Sequence, residues 1–145
     1  MKTADAPHRT AYYAYDAAGN RTRVTSPHGE STYFAYDPAG SLVCKRLETG
    51  AQTYYTYDAA GRVETLRNAL ASGAPTCYFT YDYDAASRVA SISREDGTVV
   101  YYAYDAADRL LEEQWKQGAS SVYAFAWDYD AVGNRTRASR ATPAS

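Results

Sequence analysis

The sequence predicts an all-β fold of tandem β-hairpins, and three observations support this prediction. A short pattern, Tyr-Asp followed by two small residues and usually Gly, occurs six times. An aromatic residue lies two positions before the tyrosine of every copy, which places both rings on one side of a strand. On a helix these two positions would point about 200° apart, so a strand is favoured. Turn-forming residues then reverse the chain.

The copies share one length and one order of parts. They contain Tyr15-Asp16, Tyr36-Asp37, Tyr57-Asp58, Tyr83-Asp84, Tyr104-Asp105 and Tyr129-Asp130. Three of the five steps between successive tyrosines are 21 residues long, which fits two short strands and two turns. The two longer steps contain small, Gly-containing segments at 68–76 and 116–121, where we predict inserted loops. The chain is therefore divided into a lead-in over 1–11, six repeats over 12–137 and a tail over 138–145.

The aspartate of each copy is predicted to begin a turn. Its carboxylate can accept hydrogen bonds from backbone amides a few residues later. A glycine three positions on supplies the positive φ that closes a type I turn with a bulge. This glycine is Gly19, Gly40, Gly61 and Gly133, with Ser87 and Asp108 in the other two copies. Repeated aspartates could also be read as a catalytic carboxylate pair. A residue needed at every turn favours the structural role, so no catalytic residue is assigned.

Composition indicates that the apolar area comes from tyrosine. The chain has 16 tyrosines, whereas Leu, Ile, Val and Phe together supply only 18 of its 145 residues. Each buried ring can contribute roughly 150–250 Å² of apolar area. Six hairpins give about twelve strands, and an open sheet of that size must twist and curl. The formal net charge of −2 disfavours a nucleic-acid partner.

A second set of rings is predicted on the opposite face of the sheet. These rings lie an odd number of positions before the repeat tyrosine. They are Tyr12, Tyr33, Tyr54, Tyr78 and Tyr101. Packing is one interpretation of these residues, and an aromatic platform for sugars or for a partner's apolar surface is the other. They are the candidate partner-binding residues.

Other residue types predict no further chemistry. Neither His8 nor His28 has Cys or carboxylate neighbours at metal-ligand spacing, so we expect no metal site. No phosphate-binding glycine loop or nucleophile elbow occurs, so we expect no cofactor. No apolar stretch approaches the roughly 20 residues of a membrane helix. Cys44 and Cys77 are expected about 14 Å apart, too far for a disulfide. Arginines after the turns are expected to pair across strands or to face solvent.

The motif Tyr-Asp-x-x-Gly followed by Arg or Asn, recurring at about 21 residues from Tyr12 to Arg137, resembles the YD-repeat (Rhs) family. The resemblance implies a spiralling β-sheet that wraps into a hollow shell. Bacterial Rhs proteins and insecticidal toxin complexes enclose a C-terminal toxin in such a shell, and teneurins use a similar barrel in adhesion. The segment linked to self-cleavage in that family has no match here, so this activity is not assigned to any residue.

The resemblance implies a non-catalytic role as part of a shell that encloses or presents a toxin or partner. The alternative is a carbohydrate- or protein-binding adhesion surface that uses exposed tyrosines. The expected partners are neighbouring repeats or toxin cargo of a longer polypeptide, which would be bacterial and secreted or at the cell surface. Because unpaired strand edges attract other strands, the isolated chain is also expected to associate edge to edge.

Overall fold

The fold was analysed in a computed structural model that describes residues 10–141. Within this range the chain forms twelve β-strands and no helix. The strands are β1 (Tyr12–Tyr15), β2 (Arg21–Thr25), β3 (Ser31–Tyr36), β4 (Leu42–Leu47), β5 (Gln52–Tyr57), β6 (Val63–Ala69), β7 (Pro75–Tyr83), β8 (Val89–Arg94), β9 (Thr98–Tyr104), β10 (Leu110–Gln117), β11 (Ser120–Tyr129) and β12 (Arg135–Ala141). The prediction of an all-β fold of tandem hairpins is confirmed.

Contacts divide the chain into two compact units, Met1–Thr76 and Cys77–Ser145. In the first unit each strand from β1 to β6 pairs antiparallel with the next strand in chain order. In the second unit β7 to β12 pair in the same way. Neighbours in sequence are therefore neighbours in space, as expected for an array of hairpins.

Each hairpin has a bulge on its return strand, directly after the aspartate turn. In the third copy Thr56 lies opposite Thr65, whereas Tyr57 lies opposite Val63, so one residue of β6 has no counterpart on β5. The same shift occurs in the other five hairpins, as between β3 and β4. The extra residue is on the return strand, so it does not interrupt the alternation of side chains on the strand before the turn. β11 has a further bulge on its other side, where Val122 has no counterpart on β10.

Each segment predicted as an inserted loop contains a short turn, at 70–74 and at 118–119, and its flanking residues lengthen the neighbouring strands. Asn68 and Ala69 belong to β6 and pair with Thr53 and Gln52. At 116–121, only two residues separate β10 from β11, and the flanking residues pair across the hairpin. Extended insertions gain backbone hydrogen bonds that a long loop would lack. In the turn at 70–74, the Leu70 amide donates to the Ala74 carbonyl and the Gly73 amide donates to the Leu70 carbonyl, each at 2.9 Å.

The boundaries of the array also differ slightly from the sequence division. Thr10 and Ala11 precede β1, and the rest of the lead-in lies outside the described residues. β12 continues to Ala141, into the segment assigned to the tail, whose residues 142–145 lie outside the described range.

Few residues are fully buried. Within the described range, Ala69 and Val100 are the buried apolar residues and Ser91 is the buried polar residue. Pairing places Val100 in one row between Ile92 and Trp115, on the same face as the repeat tyrosine of β9. Most rings of that face are half-buried. Apolar area is thus covered by neighbouring strands rather than enclosed in a deep core.

Candidate functional site

The aspartate turn has the same hydrogen bonds in all six copies. In the third copy one carboxylate oxygen of Asp58, Oδ1, accepts the amides of Ala60 and Arg62, each at 2.9 Å. The amide of Gly61 donates to the Asp58 carbonyl at 2.9 Å, and Gly61 has a φ of 77°. Ser87 and Asp108 replace glycine with φ values of 64° and 61°. Equivalent pairs of amides reach Asp16, Asp37, Asp84, Asp105 and Asp130.

These bonds lower the pKa values of five turn carboxylates, those of Asp16, Asp58, Asp84, Asp105 and Asp130. The Arg62 amide, followed by its guanidinium, holds the pKa of Asp58 below the ordinary value. For Asp130, the side chain of Asn134 contributes most to the lowered pKa. A general acid needs the opposite shift, so this environment does not suit acid–base catalysis. The amide four residues later is also the main cause of the lowered pKa values of Asp16, Asp84 and Asp105.

An arginine four residues after the aspartate links successive turns in the second unit. The Arg88 guanidinium bonds Asp84 Oδ2 through Nε at 2.7 Å. Its Nη1 reaches the Asp105 carbonyl at 3.0 Å and Asp108 Oδ1 at 2.8 Å. Arg109 repeats the arrangement, with Nε on the Asp105 carboxylate at 2.6 Å and Nη1 on the carbonyl of the next turn aspartate at 3.1 Å. We call this arrangement the arginine clasp.

The arginine clasp differs from the expectation of cross-strand or solvent-facing arginines. Arg62 also binds the aspartate of its own turn, at 2.7 Å. The signal was present in the sequence as Asp-x-x-x-Arg, which occurs in the third, fourth and fifth copies. The other copies have Asn20, Ser41 and Asn134 at this position. The two asparagines bind the turn aspartate but carry no second donor group to reach a further turn.

Repeat tyrosines connect each hairpin to the preceding one through their hydroxyl groups. Tyr36 donates to the Arg21 carbonyl at 2.9 Å, and Tyr57 donates to the Leu42 carbonyl at 2.8 Å. In the second unit, Tyr104 donates to the β8 carbonyl of Val89 at 3.0 Å, and Tyr129 donates to that of Leu110 at 2.9 Å. The acceptor is always five residues after the aspartate of the preceding copy. Burial raises the pKa values of Tyr57 and Tyr104.

The two remaining repeat tyrosines are the first, Tyr15, and the fourth, Tyr83. Tyr83 occupies the corresponding position on β7. Tyr15 is 61% exposed and forms no hydrogen bond with a described residue. The hydroxyl contact was not anticipated from the sequence, although the fixed spacing of 15 residues between donor and acceptor occurs in three copies.

The predicted second-face rings vary in exposure. Tyr33 lies directly opposite Arg46, whose guanidinium carbon is 4.5 Å from the ring centroid. Tyr54 has the same relation to Arg67, at 4.7 Å. Both of these rings are half-buried, whereas the remaining three are exposed: Tyr12 (63%), Tyr78 (39%) and Tyr101 (44%).

Additional exposed aromatics lie outside the predicted set. Tyr13 and Tyr15 on β1 are 54% and 61% exposed, and Tyr123 on β11 is also exposed. The Arg140 guanidinium carbon lies 4.7 Å from the centroid of Tyr123. Strand alternation alone could not identify Tyr13 and Tyr15, because their exposure depends on the neighbours of β1, which among the described strands pairs with β2 alone.

A depression on the surface of the first unit lies beside the first two aspartate turns. It has a volume of about 450 Å³ and is lined in part by Asp16, Asn20, Phe34 and Asp37. It is open to solvent, and both carboxylates already accept amide hydrogen bonds of their turns. The depression therefore follows from the spacing of neighbouring turns.

Within residues 10–141, the His, Cys, Asp and Glu side chains form neither a metal-binding cluster nor a disulfide. Within residues 10–141, no cluster of three or more His, Cys, Asp or Glu side chains is arranged to hold a metal ion. Cys44 and Cys77 are both half-buried and are not joined by a disulfide. Burial raises the pKa of the Cys44 thiol. The described part of the chain also contains no helix with the length and apolarity needed to cross a bilayer.

Comparison with known proteins places this geometry in context. The RHS Repeat family model matches residues 15–45 and 83–114, each beginning at a repeat tyrosine. No curated protein matches the sequence. The crystal structure of TcdB2-TccC3 matches with a TM-score of 0.80 at 16% identity, covering 91% of this chain and 8% of that chain.

Two further structures share the fold. TcdB2-TccC3-Cdc42 matches with a TM-score of 0.72 at 19% identity, over 80% of this chain and 6% of that chain. The Photorhabdus luminescens Tc holotoxin pore matches with a TM-score of 0.64 at 17% identity, over 93% of this chain and 9% of that chain. The chain thus spans less than a tenth of the length of these toxin-complex proteins. Two segments of the chain thus match the RHS Repeat family model, and the described strands share the hairpin fold of these solved structures.

Proposed function

We propose that this chain is a non-catalytic segment of a protein shell, in which the hairpins form the wall and the wall encloses or presents a toxin or another partner. The tyrosine hydroxyl contact is the observation that carries the proposal. Tyr36, Tyr57, Tyr104 and Tyr129 each use a carbonyl of the preceding hairpin. Each hairpin is therefore completed by its neighbour, which suits a continuous surface.

The turn chemistry supports the absence of a catalytic role. All six repeat aspartates accept two amides of their own turn, and five of them have lowered pKa values. Ionised carboxylates with occupied lone pairs are suited to holding a turn. The arginine clasp adds contacts between turns, which supports a mechanical role for this edge of the second unit.

The wider context of the shell is proposed from the structural neighbours. Those structures are toxin complexes, and one of them contains Cdc42. By analogy, this chain belongs to a larger bacterial polypeptide that is secreted or at the cell surface, and its partners are neighbouring repeats and an enclosed cargo.

Protease protection in the natural, full-length polypeptide tests this proposal. The sequence that follows residue 145 in the gene is first determined, and any cargo domain there is detected by a specific antibody during limited proteolysis. Replacing Asp58→Ala and Asp105→Ala removes two turn caps and should expose the cargo to cleavage. Glu112→Ala, which removes an exposed strand carboxylate without a turn role, is the matched control. Cargo that is digested equally in wild type and variants contradicts the shell function.

Adhesion is the second candidate function, and the exposure of Tyr101 favours it. This ring is 44% exposed, and its centroid lies 5.1 Å from the Lys116 ammonium nitrogen. A tyrosine held by a cation presents its other surface to a sugar or an apolar side chain. Glycan-array binding that is lost in Tyr101→Ser but kept in Tyr55→Ser would support adhesion. Absence of binding by the wild-type chain removes this candidate.

A further inference from the structure

Three arginines of the first unit lie on one side of its sheet. Directly opposite residues of paired antiparallel strands project to the same side, and so do residues two apart on one strand. These two relations connect β2 to β6 in the order Arg23, Tyr33, Arg46, Cys44, Tyr54 and Arg67. We call Arg23, Arg46 and Arg67 the arginine stripe.

The arginine stripe offers free hydrogen-bond donors. All three residues are exposed, and none forms an ion pair or a side-chain hydrogen bond with any residue from 10 to 141. Arg46 and Arg67 hold their guanidinium carbons 4.5 Å and 4.7 Å from the ring centroids of Tyr33 and Tyr54. A ring contact restricts the orientation of a guanidinium group and leaves its N–H groups available. These groups are therefore pre-organised to bind an oxyanion.

The neutral polar side chains on the same side are already paired with one another. Hydrogen bonds join Thr25 with Ser31, Tyr54 with Gln52, and Thr56 with Thr65. A neutral ligand that binds through hydroxyl groups would have to compete with these bonds, whereas an oxyanion needs only the free guanidinium donors. This side of the first unit therefore favours a negatively charged ligand.

The positive charge of the stripe is not balanced within its own strands. Glu64, the bulge residue of β6, is the only acidic residue in strands β1 to β6. In the last three copies the positions that correspond to Arg46 and Arg67 carry neutral residues, which are Ser93, Gln114 and Ser139. The hairpin therefore forms without an arginine at this position, so the fold alone does not explain the stripe.

The spacing of the stripe matches an extended polypeptide. Arg23 and Arg46 lie in one row on either side of β3, so their backbones are about 10 Å apart. Arg67 lies two strands beyond Arg46 and two residues along, at about 12 Å. In a polyproline II segment every third side chain faces the same way, at intervals of about 9 Å. Long side chains can bridge the small difference in spacing.

We propose that the arginine stripe binds an acidic segment of a polypeptide partner, with one carboxylate on each guanidinium group. The segment is extended and carries Asp or Glu at every third residue. A nucleic acid fits less well, because its charges follow one another at about 1.7 Å and most would face a chain of formal net charge −2. The contact rests on the proposed wall function, because it names the chemical class of the partner that the wall encloses or presents.

Fluorescence anisotropy with the 145-residue chain tests the contact. The probe is a labelled peptide of three Glu-Pro-Pro repeats, which favours the polyproline II conformation. Arg46→Gln should weaken Kd about fivefold, the effect of losing one favourable exposed ion pair. Arg137→Gln is the matched control, because Arg137 has the repeat position of Arg23 but lies opposite a carboxylate, Asp128. It should leave Kd unchanged, and equal weakening by both variants overturns the assignment to the stripe.

Other probes test the spacing and the class of partner. Peptides of three Gln-Pro-Pro repeats, and peptides with three consecutive glutamates before the prolines, should bind more weakly than the Glu-Pro-Pro probe. A single-stranded DNA oligonucleotide or a hyaluronan oligosaccharide that binds more tightly than this probe overturns the choice of a polypeptide.

Circular dichroism separates failure of the contact from failure of the fold. If Arg46→Gln lowers the β-sheet signal, Arg23→Gln takes its place, because Arg23 forms no ring contact with a described residue. A wild-type chain that has an intact β-sheet spectrum but does not bind the probe overturns the contact and leaves the wall function in place. The wall function fails separately, when cargo is digested equally in wild type and in the turn variants.

Discussion

Replacing Tyr57 by phenylalanine isolates the contact that joins consecutive hairpins. The substitution deletes one oxygen and leaves the ring, the strand and the bulge in place. In the structure the lost hydroxyl donates to the Leu42 carbonyl at 2.8 Å in a partly buried position. We therefore expect the stability change to report this hydrogen bond and little else.

The expected loss is about 1 kcal/mol of unfolding free energy, within the range of about 0.5–1.5 kcal/mol for one net hydrogen bond. For a chain of this length it corresponds to a decrease in Tm of roughly 3–4 °C. Tyr55→Phe is the matched control, because Tyr55 is on the same strand and face but forms no hydrogen bond with a described residue. Its effect should stay below about 0.5 kcal/mol.

The four contacts should also add. Tyr36, Tyr57, Tyr104 and Tyr129 have separate acceptors in different hairpins, so their losses are expected to sum to about 4 kcal/mol in the fourfold variant. Urea and thermal unfolding followed by circular dichroism measure each variant. Equal stabilities of Tyr57→Phe and Tyr55→Phe would refute the assignment of the inter-hairpin bond as a stabilising contact.

Further predictions concern turns and charge. Gly61→Ala should lower the unfolding free energy by about 1–2 kcal/mol, because alanine is strained at a left-handed φ. Gly50→Ala should lower it more, because the added Cβ would also lie 2.6 Å from the Cβ of Ala71. Thermal unfolding compares the two variants. Below about pH 4, stability should fall as the capped aspartates protonate, because their lowered pKa values contribute stability only while the carboxylates are ionised; a Tm series against pH tests this sign. Arg109→Lys keeps the charge but breaks the arginine clasp, and it should lower Tm by about 1–3 °C and speed amide exchange in the turn that begins at Asp130.

Local turn chemistry is the part of the fold that sequence reasoning could predict. The aspartate carboxylate and the residue three positions later act within five residues, so their roles depend little on the rest of the chain. The strands before the turns could also be predicted locally, because two aromatic rings at a spacing of two share a face on a strand but not on a helix. Asp108 fits this logic as well, since aspartate tolerates the left-handed φ of 61° that it adopts.

Contacts between hairpins could not be predicted, because they depend on register. The hydroxyl of Tyr57 reaches a carbonyl 15 residues earlier, and the guanidinium of Arg88 reaches a turn 17 residues later. Both distances become short only after one strand has been set against the next. The segments 68–76 and 116–121 show the same limit: their small residues suggested loops, but only 70–74 and 118–119 form turns, and the flanking residues extend strands.

The scarcity of fully buried residues gives these inter-hairpin contacts their importance. With Val100 and Ala69 as the buried apolar residues of the described range, no single core holds either unit together. Stability must then come from contacts between adjacent hairpins, which recur at each step and do not depend on the number of copies. A sheet built in this way can be lengthened by adding copies, provided that each new strand finds a tyrosine donor or its carbonyl acceptor at the edge.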